Sequence, residues 1–369
     1  MQWLDRLEQL VSINSHTKNK AGVDKTGKLF GSWLKKLGME EIVYKRIHVG
    51  NHLLYKSKHN KNSKKLLLVG HLDTVFASKD FDHFYTDVDW VYGPGVCDMK
   101  GGLIVAYSAL ESIYKKNIPI KNIDFLLVSD EETGSDDSKS LSTKLAEDYD
   151  YCLVFEAAGI DDEVVVGRKG VATFEVDITG LAKHAGNHYH EGIDANLEAS
   201  YKLQKLVALT DLSKNTTLNV GFISGGIGAN TISSNAFLLF EVRYDCVEEK
   251  DRVLSAIDDI VDNSYVKGTE SRLKGGVQRE VMEASDEIIS FVDAIEKVTN
   301  KTLKREKRGG VSDANIFSSC GVLTLDGFGP YGDGDHTHKE RALKSSFISR
   351  IELTTEILEY FIEHKKIIG

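Results

Sequence analysis

The sequence predicts an α/β protein, a mostly parallel sheet with helices on both faces, interrupted by an inserted α+β unit. Three observations predict it. Short, nearly all-apolar runs alternate with stretches of helical spacing up to Val166, the pattern of strands covered on both faces. A period-two pattern begins at Val171, and helical spacing returns past Ser285.

At the amino terminus, Trp3, Leu4, Leu7, Leu10 and Val11 recur at helical spacing with acids between them. This is unlike the cationic start and apolar centre of a signal peptide, so no export is expected. Residues 27–37 and 103–114 have helical spacing, whereas 65–69, 125–128, 152–155 and 164–166 are short apolar runs that predict strands. From Val171, the residues Val171, Thr173, Glu175, Asp177 and Thr179 alternate with Ala172, Phe174, Val176 and Ile178, which predicts a strand with one wet face. A helix over 195–209, strands over 216–223 and 236–244, a helix led by Glu248 and Glu249, and an extended stretch near 270–277 come next. The order is β-α-β-β-α-β, the split-βαβ or ferredoxin-like arrangement. Ile288, Phe291, Val292, Ile295 and Val298 then restore the helical period, ahead of a helix near 313–319, a strand over 322–325 and a final helix over 347–364. The expected division is a discontinuous domain of residues 1–170 and 281–369, with an inserted domain of 171–280.

The length of 369 residues, 41% of them hydrophobic, suits two domains. A net charge of −10 argues against a nucleic-acid binder, which needs a basic surface to displace counterions. No apolar run approaches the roughly 18–20 residues of a membrane span. Cys97, Cys152, Cys246 and Cys320 form no CxxC pair and read as free thiols of a reducing compartment, the cytoplasm. With only three prolines and no low-complexity linker, the domain boundary must be read from the change of pattern.

The chemical signal lies at the exits of the apolar strands. The run 66–69 leads into Gly70, His71, Leu72 and Asp73; 125–128 into Ser129, Asp130, Glu131 and Glu132; 152–155 into Glu156; and 322–325 toward Asp333, Asp335, His336 and His338. In open α/β sheets ligands bind beyond the carboxyl ends of the strands, so residues distant in sequence converge there. Imidazole and carboxylate without thiolate suit zinc in an open hydrolytic site, or manganese or cobalt. Asp98, between the glycines of GPGVCDMKGG, has two oxygens with which to bridge two ions, and such a pair activates water and holds a substrate oxygen. If extended, Glu131 and Glu132 diverge, one toward the metals and the other toward the water. Taken singly, each feature has a plainer reading. His71 would be a satisfied histidine, SDEETGSDD a solvated acidic loop and GPGVCDMKGG an ordinary loop. His184, His188 and His190 resemble a metal cluster but come after the half-wet strand, and no separate metal site is expected there.

In this order, GHLDTV, GPGVCDMKGG, SDEETGS, FEAAG, LAKHAG, EVRY, RGGVSDAN and the His336 region closely resemble the M20 family of metallopeptidases, and within it the glutamate carboxypeptidase (carboxypeptidase G2-like) branch. The resemblance spans nearly the whole chain and implies that the insertion is a lid domain. It implies that His71 and Glu156 complete one metal site, Glu132 and His336 the other, with Asp98 bridging two zinc ions, and that Glu131 is the general base. Asp73 would orient the His71 imidazole, a role with its own physical rationale. His336 is preferred over His338 because the family commonly places a Glu about four residues after its last ligand, where Glu340 stands. His184 resembles the family histidine that stabilises the tetrahedral oxyanion, often across a dimer. Asn230 and Arg243 resemble residues that bind the substrate carboxylate or carbonyl, Arg243 through a bidentate guanidinium grip; a strand-end salt bridge is its competing reading. Gly309, Gly310 and Asp313 resemble a turn lining the specificity pocket. Ala157 in FEAAG and the missing proline after Asn230 depart from the family pattern.

The expectation is a cytoplasmic two-metal amidohydrolase that cleaves a peptide or N-acyl amide bond beside a free carboxylate, releasing glutamate or a similar amino acid, with Glu131 removing the proton of a metal-activated water. Its partner is a small peptide or N-acyl amino acid, with a homodimer formed through the lid. The alternatives are an N-acetyl-amino-acid deacylase or dipeptidase of the same family and, from another class, a non-catalytic metal- or ligand-binding protein.

Overall fold

The computed structural model describes residues 2–61, 63–77, 79–161 and 163–367. The chain divides into one unit of Met1–Val166, Ala284–Arg308 and Ser312–Gly369, and a second of Gly167–Glu283 with Gly309–Val311. The first unit opens with α1 (Gln2–Val11), which buries Trp3, Leu7, Leu10 and Val11. Helix α2 (Lys20–Lys36) starts well before residue 27, because the Asn19 side chain accepts from Gly22 N and caps it. Its first turns bury Gly22, Val23 and Thr26, of which only Val23 registers in an apolar count.

A hairpin of β1 (Glu40–Tyr44) and β2 (His52–Lys56) comes next, unforeseen because β1 is partly exposed and carries two acids. Then come β3 (Leu66–His71), the short β4 (Tyr85–Thr86) and β5 (Trp90–Tyr92), α3 (Lys100–Lys115), β6 (Ile123–Val128), α4 (Lys139–Ala146), β7 (Tyr151–Val154) and β8 (Val164–Arg168). Every residue of β3, β6 and β7 is buried, which is why residues 66–69, 125–128 and 151–154 within them read as apolar runs.

The second unit contains β9 (Gly170–Thr179), α5 (Ala195–Val207), β10 (Thr217–Gly225), β11 (Asn235–Tyr244), α6 (Val247–Asp262) and β12 (Glu270–Arg279). Its four strands are wholly antiparallel in the order β10-β11-β9-β12. One face of this sheet packs Phe174, Val176, Leu238 and Phe240 against Ala199 and Leu206 of α5 and Val253 and Ile257 of α6. Asp194 caps α5 by accepting from the amides of Asn196 and Leu197.

The first unit resumes with α7 (Asp286–Thr299), capped by Ser285, then β13 (Arg305–Arg308), α8 (Ala314–Ser319), β14 (Leu323–Leu325), β15 (Gly332–Asp333), β16 (Arg341–Leu343) and α9 (Lys344–His364). Its main sheet has the order β1-β2-β6-β3-β7-β14. Strands β6, β3, β7 and β14 are mutually parallel, and β2 and β1 join antiparallel at one edge. The carboxyl ends of β3, β6 and β7 therefore open on one side of this sheet.

Candidate metal centre

Strand β3 ends on His71, whose side chain is fully buried. Two residues beyond β7 stands Glu156, and beyond β6 the chain makes a 3-10 turn over Glu131–Thr133. That turn corrects the extended geometry expected for Glu131 and Glu132, although the two side chains still part company. Glu131 falls into a group with His71 and Glu156, and Glu132 into one with His71 and Asp98; within each group the donor atoms lie within 4.8 Å of one another. Asp98 arrives on the loop before α3. This helix approaches the Glu156 segment so closely that a Cβ on Gly102 would lie 1.8 Å from the Phe155 carbonyl oxygen, so the glycine is sterically required. His336 sits in a turn at φ +59°, beside Gly334 at φ +73°, and the left-handed backbone aims its ring at Asp98.

The two oxygens of Asp98 face different imidazoles. Oδ1 is 3.0 Å from His71 Nε2, which is in turn 3.7 Å from Glu156 Oε1. Oδ2 is 3.2 Å from His336 Nε2, which is 3.1 Å from Glu132 Oε2. Tetrahedral ligands bound to a zinc-sized ion at about 2.1 Å stand roughly 3.4 Å apart, so each of these neighbouring pairs is spaced as two donors to one divalent cation would be. His338 turns elsewhere: its Nε2 is 3.2 Å from Asp80, and its ring leans on Phe81 and Phe76.

The electrostatics favour bound cations. Burial, and then the charge of Asp98, push Glu132 up to about 7 and Glu156 well above the usual carboxylate range. Glu131 is likewise held high, chiefly by burial, with Asp313 and Asp98 adding to it against the opposing effect of His71. For Asp98, burial is outweighed by hydrogen bonds from His336 and His71, which hold it low. Bonds from Asp98 and Glu132 raise His336 to about 11, and Asp73 and Asp98 raise His71 despite its burial. Protons and a cation would compete for these same donors, so metal binding here would be coupled to proton release.

The His71 ring is oriented chiefly by main chain. Its Nδ1 donates to the Asp73 carbonyl at 3.0 Å, and the Asp73 carboxylate Oδ1 is farther, at 3.5 Å. That buried Oδ1 has no hydrogen-bond partner, whereas Oδ2 accepts from Thr17 Oγ1 at 2.7 Å and Glu132 N at 3.3 Å. Glu340, 1% exposed, accepts from the amides of Gly95, Cys97 and Asp98 at 2.9, 2.9 and 3.1 Å, cradling the loop that carries Asp98. Asp313 accepts from Ser135 Oγ at 2.8 Å and is buried. Reasoning from sequence did not reach Thr17, which lies in no recognisable motif. For Glu340 only its spacing was visible.

The remaining expected residues lie in the second unit. His184 Nδ1 accepts from Gly186 N at 3.1 Å and Asn187 N at 3.2 Å, which leaves Nε2 as the ring's donor. Asn230 is alongside, its carbonyl accepting from Ala185 N at 2.9 Å. The Arg243 guanidinium bonds Glu241 at 2.7 Å and the Gly309 carbonyl at 2.8 Å, so the arrangement seen is the strand-end ion pair. The Gly310 carbonyl accepts from Arg168 at 2.9 Å. His188 pairs with Glu191 at 2.9 Å, and among the described residues the two groups of three candidate donors that lie within 4.8 Å of one another include neither His184, His188 nor His190.

The sequence model of Peptidase family M20/M25/M40 matches residues 67–364. Carboxypeptidase G2 of Pseudomonas sp. (strain RS-16) is 30% identical over 354 residues, covering 93% of this chain and 85% of that protein. The structure of aminopeptidase PepT from Bacillus cereus ATCC 10987 resembles this one with a TM-score of 0.80 at 21% identity, covering 97% of each chain. The Bacillus subtilis YXEP protein, a dinuclear metal binding peptidase, resembles it with a TM-score of 0.71 at 13% identity, covering 98% of this chain and 99% of that one. At these identities the two structures speak to the fold alone.

Proposed function

The chain belongs to peptidase family M20/M25/M40, a metal-dependent family of hydrolases, and from that membership we propose that it is a two-metal carboxypeptidase releasing a carboxy-terminal glutamate or similar amino acid from a small peptide or N-acyl substrate. The observation that carries this reading is the single carboxylate, Asp98, whose two oxygens face His71 and His336 separately. His71 and Glu156 would hold one cation, His336 and Glu132 the other, with Asp98 between them. Bound zinc, or manganese or cobalt, would polarise the scissile carbonyl and acidify the attacking water.

Glu131 takes the proton of that water and passes it to the leaving amine, and burial raises the affinity of its carboxylate for that proton. The His184 Nε2–H donates to the oxyanion. Arg243, Asn230 and Gly310 receive the free carboxylate end of the substrate, Arg243 by exchanging Glu241 for it. The kinship with carboxypeptidase G2 supports release of a carboxy-terminal residue. Four free cysteines support a cytoplasmic setting, and among the described residues no helix is long and apolar enough to cross a membrane. Exposed Phe222, Ile223 and Ile227, on and just beyond the edge strand β10, support a homodimer formed through the second unit.

Elemental analysis, then chelation, metal re-addition and a panel of folate-like glutamates, dipeptides and N-acetyl amino acids, tests the reading. Glu131→Gln should keep its metal and lose turnover by about 10²-fold or more. His71→Ala should lose metal. Full activity in either purified variant overturns these roles, and turnover confined to N-acetyl amino acids overturns the substrate class.

A further inference from the structure

We infer that Thr17 is a positioning residue of the metal centre, its hydroxyl fixing the Asp73 carboxylate between the His71 imidazole and the Glu132 main chain. The inference rests on the two-cation reading above and extends it to the segment between α1 and α2. Thr17 precedes residue 67, where the family match begins.

Asp73 touches both halves of the centre. Its carbonyl accepts from His71 Nδ1, and its carboxylate Oδ2 accepts from Glu132 N. The Thr17 hydroxyl is the nearer donor to that oxygen, at 2.7 Å against 3.3 Å for Glu132 N, and both Thr17 and Asp73 are buried. No lysine or arginine among the described residues forms an ion pair with Asp73; its charge is met by His71 and these two donors. With the hydroxyl gone, one long bond would restrain Oδ2, and the carboxylate could rotate away from the ring beside it.

The segment carrying Thr17 is fastened to the same part of the sheet, which makes the hydroxyl a fixed donor rather than a mobile one. Thr17 N donates to the Thr74 carbonyl at 3.2 Å, and Thr74 N donates to the Ser15 carbonyl at 2.9 Å. Asn14 Nδ2 reaches the Phe76 carbonyl at 3.0 Å, and the buried Lys100 Nζ donates to the Ile13 carbonyl at 2.9 Å. Each residue from Ile13 to Thr17 other than His16 thus has a hydrogen bond to the segment 73–76 or to Lys100, and His16 bridges to Thr74.

The test compares Thr17→Val, which keeps the shape and removes the donor, with Thr17→Ser, which keeps the donor and removes a methyl. Dissociation constants for Zn²⁺ and Mn²⁺ are measured by competition and calorimetric titration on the metal-free full chain, beside its urea midpoint. Thr17→Val should bind cations roughly tenfold more weakly, the lower end of what outer partners contribute because Thr17 acts through Asp73. Thr17→Ser should stay within about twofold of the unsubstituted protein. A merely structural threonine would lower the urea midpoint of both variants without separating their cation affinities, and that result overturns the inference. If Thr17→Val is insoluble, Thr17→Ala replaces it against Thr17→Ser, a pair differing only in the hydroxyl. Failure of the unsubstituted chain to bind any divalent cation overturns the two-cation reading itself, and is distinguishable because it needs no variant.

Discussion

Replacing Lys202 by methionine removes an ammonium buried in the core of the unit that carries His184, Asn230 and Arg243. The Lys202 side chain is fully buried, and its Nζ donates to the carbonyls of Ile260, Val261 and Asn263 at 2.8, 2.9 and 2.6 Å. Those carbonyls end α6, where a helix has no amides left to satisfy them. The same Nζ lies 3.0 Å from Glu198 Oε1, also fully buried, while Glu198 Oε2 accepts from Val266 N at 2.6 Å. Methionine fills nearly the same space and donates nothing, so a buried carboxylate loses its cation and three helix-end carbonyls lose their donor. Breaking a buried ion pair from one side costs about 3–5 kcal/mol, a range that already contains the stranded carbonyls. With a urea dependence of about 1–3 kcal/mol per molar, the midpoint should fall by roughly 1–5 M. Trp3, Trp33 and Trp90 all lie in the first unit, so the transition must be monitored by circular dichroism rather than tryptophan fluorescence. Adding Glu198→Gln removes the stranded charge and keeps an acceptor for Val266 N, so the double variant should recover at least about 1 kcal/mol. A loss below about 1 kcal/mol in Lys202→Met, or a double variant no more stable than the single, refutes the reasoning.

Two further outcomes are expected. Glu111 is held down to about 2 although burial opposes it, by its hydrogen bonds with Arg6 and Lys115. A carboxyl lowered on folding stabilises above its ordinary value near 4.5 and loses that contribution as pH falls toward 2. Arg6→Met should therefore destabilise the protein in urea titrations at pH 7, with the difference from the unsubstituted chain shrinking as the pH is lowered; a constant gap counts against the ion pair. For the proposed dimer, sedimentation should show a dimer that Phe222→Asp with Ile227→Asp converts to a monomer, and an unsubstituted protein monomeric at every concentration tested removes that proposal.

The central strands β3, β6 and β7 were legible because burial on both faces forces apolar runs such as 66–69, 125–128 and 151–154, and the candidate ligands His71, Glu132 and Glu156 were legible because they stand at the ends of those runs. The hairpin of β1 and β2 was hidden because an edge pair tolerates exposed acids such as Glu40 and Glu41, which blur the pattern. The start of α2 was hidden because, of its first buried residues Gly22, Val23 and Thr26, only Val23 is apolar, too few to form a hydrophobic stripe. Glu131 and Glu132 occupy a 3-10 turn, a local choice that two adjacent acids do not announce.

The central buried strands, the β-α-β-β-α-β order of the unit inserted after β8, and the supply of imidazoles and carboxylates at strand exits were determined by the sequence alone, since each arises from the period of apolar residues and from chemical type. Which side chains meet was decided only in three dimensions. His336 rather than His338 faces Asp98 because a left-handed turn aims it there, while Phe76, Phe81 and Asp80 engage the other ring. Thr17 reaches Asp73 across 56 positions, and Glu340 reaches the Asp98 loop across about 240. Contacts of that span depend on how the backbone of the whole unit closes, and no local pattern of residues encodes them.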